Sequence, residues 1–207
     1  MVILTARDEK RGTEAVENLK ACGLSDIFFH QLDVTDSASI AYLADYIKNK
    51  FGKLNILVNN AGVNGVIMDA ESFTSLKLKF GEAEMAKKVI KQTYETAEGR
   101  LRTNYYRHKQ LSQALIPLLR LSGSARIVNV LSSLGQLKDA KEDLLKAGLF
   151  SLLVLSPKQL LMATQDMSFN SGHYTDEQGA KGPVKLVLTV GDAPSGLFFF
   201  QREKTTF

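Results

Sequence analysis

Apolar positions along the chain change period as they go, and the changes mark out the elements. Val2-Ile3-Leu4-Thr5-Ala6 is a short, mostly apolar run that predicts a buried strand. From about Asp8 to Cys22 the spacing becomes helical, with Ala15, Val16 and Leu19 on one face and Gly23 as the stop. Asp26 to His30 predicts a second strand. Ile40, Leu43, Ala44, Ile47 and Phe51 then repeat at helical spacing, with Thr35 or Asp36 as the cap and Gly52 at the end. Asn55 to Val58 predicts a third strand, running straight into Asn59-Asn60-Ala61-Gly62. Strands alternating with helices imply a parallel sheet with right-handed crossovers.

Beyond this point the signal is uneven. Asn64 to Gln92 predicts a loop with a modest helix around Glu82 to Lys91. A long helix from about Glu95 to Leu121 carries Leu101, Tyr105, Leu111, Leu115, Leu118 and Leu119 on one side, with Pro117 as a kink near its end. Arg126 to Leu131 predicts a fourth strand. Asp176 to Leu188 predicts a helix entered by Thr175, with Pro183 its weak point. Gly196 to Phe200 predicts a last strand. There is no internal repeat, linker or low-complexity segment, so residues 1–207 are expected to form a single domain.

Composition narrows the function classes. At 207 residues, with 44% hydrophobic and 23% charged residues, the chain suits a globular protein with a buried core. The longest apolar run, Leu149 to Leu155, is too short to span a bilayer, and nothing before Arg7 resembles a secretory signal, so no membrane association and a cytoplasmic location are expected. The lone cysteine, Cys22, cannot form an internal disulfide and fits a reducing compartment. His30, His108 and His173 lie far apart without partners at ligand spacing, so no metal site is expected. The net charge of +4 and pI of about 9.1 raise the question of nucleic acid. Acids and bases alternate along the helices and form no basic block, so no nucleic-acid partner is expected. The same excess suits a protein that holds a phosphorylated cofactor.

Two positions point to such a cofactor. In a dinucleotide fold an arginine at the end of the ribose-side strand accommodates the extra phosphate of NADP, where an acid favours NAD. Arg7 follows Ala6 directly, and Arg11 stands one helical turn on; two guanidinium forks there match a 2′-phosphate. The same spacing also describes two solvated helix residues. Asn59-Asn60-Ala61-Gly62 is more specific: Gly62 lets the backbone approach a ligand and the asparagines fix the turn, although an ordinary loop after a strand has similar composition.

Four motifs occur in order: Leu32-Asp33-Val34-Thr35, Asn59-Asn60-Ala61-Gly62, Thr103-Asn104-Tyr105-Tyr106, and Arg126-Ile127-Val128-Asn129-Val130-Leu131-Ser132-Ser133-Leu134-Gly135. Together they resemble the short-chain dehydrogenase/reductase superfamily, in the plant carbonyl reductase branch that includes menthone, neomenthol and salutaridine reductases. Pro194-Ser195-Gly196-Leu197-Phe198-Phe199 resembles that branch's ending. The resemblance covers Val2 to about Gln136 and Asp166 to Phe207, and implies a Rossmann-like, doubly wound α/β fold. It implies NADP(H) as cofactor and a small-molecule carbonyl or alcohol as substrate; it does not fix the oligomeric state. By this resemblance Arg7 and Arg11 recognise the 2′-phosphate, and Asp33 and Val34 flank the adenine. Asn60, Ala61 and Gly62 line the adenosine and ribose side, and Asn104 holds a water of the proton relay. Ser132, three residues before Gly135, hydrogen-bonds the substrate carbonyl as it gains negative charge; Ser133 is the weaker candidate, and a strand-end cap is the bland alternative for Ser132.

Two pieces of the family pattern are missing. No strand with a glycine-rich, pyrophosphate-cradling turn precedes Val2, and no Gly-x-Gly-x-x-Gly occurs elsewhere. The family's tyrosine acid, with a lysine four residues later, should follow Ser132. After Ser132 the only tyrosine is Tyr174, and Gln178 stands four residues on. Tyr105 and Lys109 have the spacing but precede the serine, and are read as a chance match. Residues 137–165 match no family element, and Thr164 and Gln165 stand where a threonine and a proline-glycine turn belong. The expectation is therefore a truncated, incomplete sheet in which the strands at Val2 and Asn55 either expose their edges or pair directly. The functional expectation is an oxidoreductase lineage with little turnover, or a non-catalytic remnant that binds a partner subunit or part of the cofactor.

Overall fold

The structure is a computed structural model that describes residues 1–63, 65–68, 90–91, 93–130, 176–188, 198–200 and 203–205. The chain divides into two compact units, Met1–Leu57 with Tyr106–Ile127, and Val58–Tyr105 with Val128–Phe207.

In the first unit, β1 (Val2–Ala6), α1 (Glu9–Ala21), β2 (Ile27–Gln31) and α2 (Ser37–Phe51) follow in order. β1 and β2 pair in parallel, Val2 opposite Ile27 through Ala6 opposite Gln31, as a helical crossover between strands requires. Asp8 caps α1, its side chain accepting from the Arg11 backbone N–H at 2.9 Å. Of the two candidate caps for α2, Asp36 is the one used: its Oδ1 accepts from the Ala38 N–H at 2.9 Å. Gly52 closes α2 in the left-handed region (φ 72°), its N–H reaching the Ile47 and Lys48 carbonyls.

The long helix has three parts: α3 (Tyr94–Leu101), a π-helical segment (Arg102–Arg107) and α4 (His108–Leu119). α4 lays Leu111, Leu115, Leu118 and Leu119 into one cluster with Leu32, Val34, Ile40, Leu43, Ile47 and Leu57. That cluster is the core of the first unit, and Leu115 is only 1% exposed.

β3 (Ile56–Asn59) pairs with β6 (Arg126–Asn129). The Arg126 N–H donates to the Asn55 carbonyl at 2.9 Å and the Val130 N–H to the Asn59 carbonyl at 3.0 Å. The offset is the same at both ends, so this pair also runs parallel. Among the described strands, β1–β2 and β3–β6 are separate ladders. β1 and β3, expected to flank a missing strand, do not pair with each other.

Further on, β4 (Ile67–Met68) and β5 (Ile90–Lys91) pair antiparallel. Ile90 and Lys91 were expected to end a helix and are strand instead; the rest of that helix lies outside the described residues. α5 (Asp176–Leu188) forms as expected, with Pro183 inside it. The last strand, β7 (Phe198–Phe200), turns back on β8 (Glu203–Thr205) as an antiparallel pair that the sequence reading did not foresee. Residues 137–165, the divergent segment, lie outside the described residues.

Candidate functional site

The residues expected at the adenosine end lie where β1 and β2 end side by side. The Leu32 N–H donates to the Ala6 carbonyl (3.0 Å) and Gln31 Nε2 to the Arg7 carbonyl (3.0 Å), so Arg7 and Asp33 follow adjacent parallel strands. Carboxyl ends of parallel strands are where α/β sheets bind ligands. Arg7 is exposed, and so is Arg11, which stands one turn along α1.

Asp33 is half-buried and already committed. Its Oδ1 accepts from the Thr35 backbone N–H (2.8 Å) and the Thr35 hydroxyl (2.6 Å), and its own N–H donates to Ser39 Oγ (3.0 Å). The two Thr35 bonds hold the Asp33 carboxyl below its ordinary range; burial opposes them, and the Arg7 and Arg107 charges add to them. The Val34 side chain is buried in the core cluster. A concavity of about 700 Å³ adjoins Asp33, but Glu9, Asp33 and Asp36 all line it. Three carboxylates repel a phosphate, so this concavity does not suit one.

In the second unit, strand alternation splits the Asn59-Asn60-Ala61-Gly62 motif. Asn59 points inward at 2% exposure, and its Nδ2 donates to Asn129 Oδ1 at 2.7 Å. Asn60, Ala61 and Gly62 are exposed. In the sequence Asn59 was read together with Asn60 as fixing the turn, without a cofactor role of its own. Two adjacent asparagines differ only in which face of the strand they occupy, and period-two patterning fades at a strand end.

Asn104 sits in the π-helical segment, a geometry common at functional positions. Its Oδ1 accepts from the Val63 N–H and its Nδ2 donates to the Val63 carbonyl, both at 2.9 Å. This paired clasp fixes the chain just after Gly62. A Cβ placed on Gly62 would stand 3.6 Å from Asn104 Oδ1, an ordinary contact, so the protein itself does not require glycine there. Gly65 is different: its φ is +65°, and a Cβ would stand 2.6 Å from the Cβ of Arg100, which is 8% exposed. Burial pushes the Arg100 pKa down from its ordinary value.

Ser132 and Ser133 lie outside the described residues, as does the whole stretch in which a tyrosine-lysine pair would fall. Among the described residues no group of histidine, cysteine and acidic side chains is placed to hold a metal. No described helix is long and apolar enough to cross a membrane.

Residues 1–143 match the short chain dehydrogenase family profile. The chain belongs to that family. It is 40% identical over 264 positions to short-chain dehydrogenase/reductase 1 of Saponaria officinalis, covering 100% of this chain and 87% of the relative. It is 38% identical over 266 positions to the (+)-neomenthol dehydrogenase of Arabidopsis thaliana, covering 100% and 89%. The solved structure of salutaridine reductase from Papaver somniferum superposes with a TM-score of 0.78 at 35% identity, covering 95% of this chain and 90% of that one. The chain thus belongs with plant enzymes of this kind, has their Rossmann-like α/β fold, and descends from oxidoreductases. The first alignment runs over 264 positions for 207 residues, so 57 or more positions of that relative face no residue here.

Proposed function

We propose that this chain derives from NADPH-dependent reductases of small-molecule carbonyls, that it retains the adenosine end of the cofactor site, and that it turns over carbonyl substrates little or not at all. NADPH, when bound, supplies the hydride for such reductions. Arg7 and Arg11 hold the 2′-phosphate, and Asp33 and the Val34 backbone flank the adenine. Asn60, Ala61 and Gly62 line the adenosine and ribose side. Asn104 holds Val63 through its side chain and keeps the relay water at its remaining hydrogen-bonding positions. Ser132 faces the substrate carbonyl.

The observation that carries the first half of this reading is the exposed Arg7 at a strand end beside an acid that is already bonded locally. Two cations fit a dianionic phosphate. The second half rests on the absent Tyr-x-x-x-Lys after Ser132. Without a tyrosine proton donor whose pKa is lowered by a neighbouring lysine, the alkoxide has no acid to collect its proton from. The relatives' names, neomenthol dehydrogenase and salutaridine reductase, support a small-molecule carbonyl or alcohol as the ancestral substrate. A reducing, cytoplasmic setting agrees with the single exposed cysteine, Cys22.

The same missing pair favours a second reading: a non-catalytic product that pairs with a full-length relative. Co-purification with such a relative tests it.

The primary test is a thermal melt with NADPH, with NADH as control, beside a turnover assay on a ketone panel. A cooperative transition raised by NADPH more than by NADH, with no turnover, is expected, since a ligand of the folded state alone stabilises it. Equal shifts by both cofactors would remove the 2′-phosphate assignment. Measurable turnover would remove the claim of lost catalysis.

A further inference from the structure

The turn that follows β3 is held from both ends by asparagines on other elements. At its start the Val130 N–H donates to the Asn59 carbonyl at 3.0 Å. In a parallel pair that bond sets Asn59 beside Asn129, with both side chains on one face of the ladder. Asn59 Nδ2 then donates to Asn129 Oδ1 at 2.7 Å. At the other end, Asn104 Oδ1 accepts from the Val63 N–H and its Nδ2 donates to the Val63 carbonyl, both at 2.9 Å. All of these residues belong to the second unit. Between the two fastenings, Asn60, Ala61 and Gly62 are exposed, and among the described residues none of the three has a hydrogen bond of its own.

Three residues without bonds of their own are placed by whatever fixes their neighbours. Ordering a free backbone costs about 1–2 kcal/mol per residue, and a turn held beforehand spares a ligand that cost. Apolar burial is a poor means to this end, because it does not set direction; a short amide bond sets both distance and angle. Asn129 is itself exposed, while Asn59 is buried. Its side chain therefore adds little to a core, and what it does is orient Asn59. Asn129 also stands three residues before Ser132. The strand that leads to the serine is thus the one that aligns the turn after β3.

We infer that Asn129 is a positioning residue for the nucleotide: through Asn59 it holds the start of the Asn60–Gly62 turn in its binding geometry, as Asn104 holds the end. This rests on the NADPH reading above, and it adds a residue of β6 that touches no ligand to a site otherwise assigned by direct contact.

The test uses the full chain and reads NADPH affinity by calorimetry, with amide exchange at residues 60–63 measured without ligand. Asn129→Ala should weaken NADPH about fivefold, the usual effect of one amide hydrogen bond, and quicken exchange at those four residues. Asn129→Asp keeps the acceptor oxygen and should stay within about twofold of the unaltered chain in both readings. Val128→Ala truncates a buried neighbour on the same strand. It should lower the melting temperature at least as much as Asn129→Ala, yet leave NADPH affinity within about twofold. Asn129→Val, which suits a strand and lacks the acceptor, repeats the test should Asn129→Ala not fold. An affinity unchanged in the Ala and Val variants would overturn the inference, and so would an equal loss in Asn129→Asp or in Val128→Ala. In those cases the NADPH reading stands. If the unaltered chain binds no NADPH, that reading falls and the inference falls with it.

Discussion

The described residues of the two units are fastened in different ways. Of the thirteen apolar residues buried among the described residues, twelve lie in the unit formed by Met1–Leu57 and Tyr106–Ile127, and only Val128 lies in the other. The described fastenings of the second unit are directional: the Asn59–Asn129 amide pair, the Asn104 clasp on Val63, and Arg100 against Gly65. Apolar burial is additive and tolerant of direction; amide bonds are modest in energy but specify geometry. Among the described residues, apolar burial holds the first unit together, and in the second the amide bonds hold a loop that follows a strand end.

The contrast can be broken at its strongest point first. Leu115→Ala removes a side chain only 1% exposed at the centre of the first unit's cluster. We expect a loss of about 3–5 kcal/mol in urea unfolding, enough to abolish a cooperative transition in a marginal domain. A loss below about 1 kcal/mol would mean that the cluster is not what holds this unit.

Gly12 offers a gentler break. A Cβ there would stand 2.0 Å from Cε2 of Phe29, so α1 lies on β2 through the bare backbone. Gly12→Ala gains about 1 kcal/mol of helix propensity but forces the ring aside at about 1–3 kcal/mol, so a small net destabilisation should be measured. Adding Phe29→Leu should recover it, and a Gly12→Ala chain that melts higher than the original would refute the close contact.

In the second unit the effects should be local. Asn104→Ala deletes two hydrogen bonds to an exposed backbone and should cost about 1 kcal/mol globally. Amide exchange at Val63 should rise well beyond what that global change explains, and uniform exchange across the chain would argue against a local clasp.

The smallest effect is one of pH. Asp33 has its pKa lowered from 3.8 by the Thr35 hydrogen bonds first, with Arg7 and Arg107 assisting. A depressed carboxyl stabilises the fold above its unfolded-state pKa, and that contribution disappears as pH falls below about 3.8 through the folded value. Asp33→Asn should flatten this acid limb slightly, because the group is only half-buried and solvent screens its partners. An acid limb unchanged in Asp33→Asn would show that Asp33 is not its source.

Much of the first unit was legible in the chain. Val2–Ala6, α1 stopped by Gly23 and α2 ending at Gly52 follow from period and capping chemistry, because those signals are local; that Asp8 caps α1 came from the structure. The segment from Asn64 to Gln92 gave a helix where Ile90–Lys91 pair with Ile67–Met68, since a two-residue ladder leaves no period to read. Of the proposed site, Arg7 was read from its position after a strand and Asp33 from the family resemblance. Val34 was legible as a motif member, but its burial was not. The Asn59–Asn129 bond was not legible, because it joins residues 70 positions apart.

By itself the sequence determined the family, the order of elements, the arginine that follows β1, and the absence of a tyrosine-lysine pair after Ser132. All of these are facts of residue type and spacing along one dimension. Tertiary structure alone decided that β1 and β3 do not pair, that Val34 turns into the core while Asn60 turns out, and that Asn59 meets Asn129 across the β3–β6 pair. Such outcomes depend on which backbone edges and side-chain faces meet across long separations, and burial and charge act through space without regard to chain position.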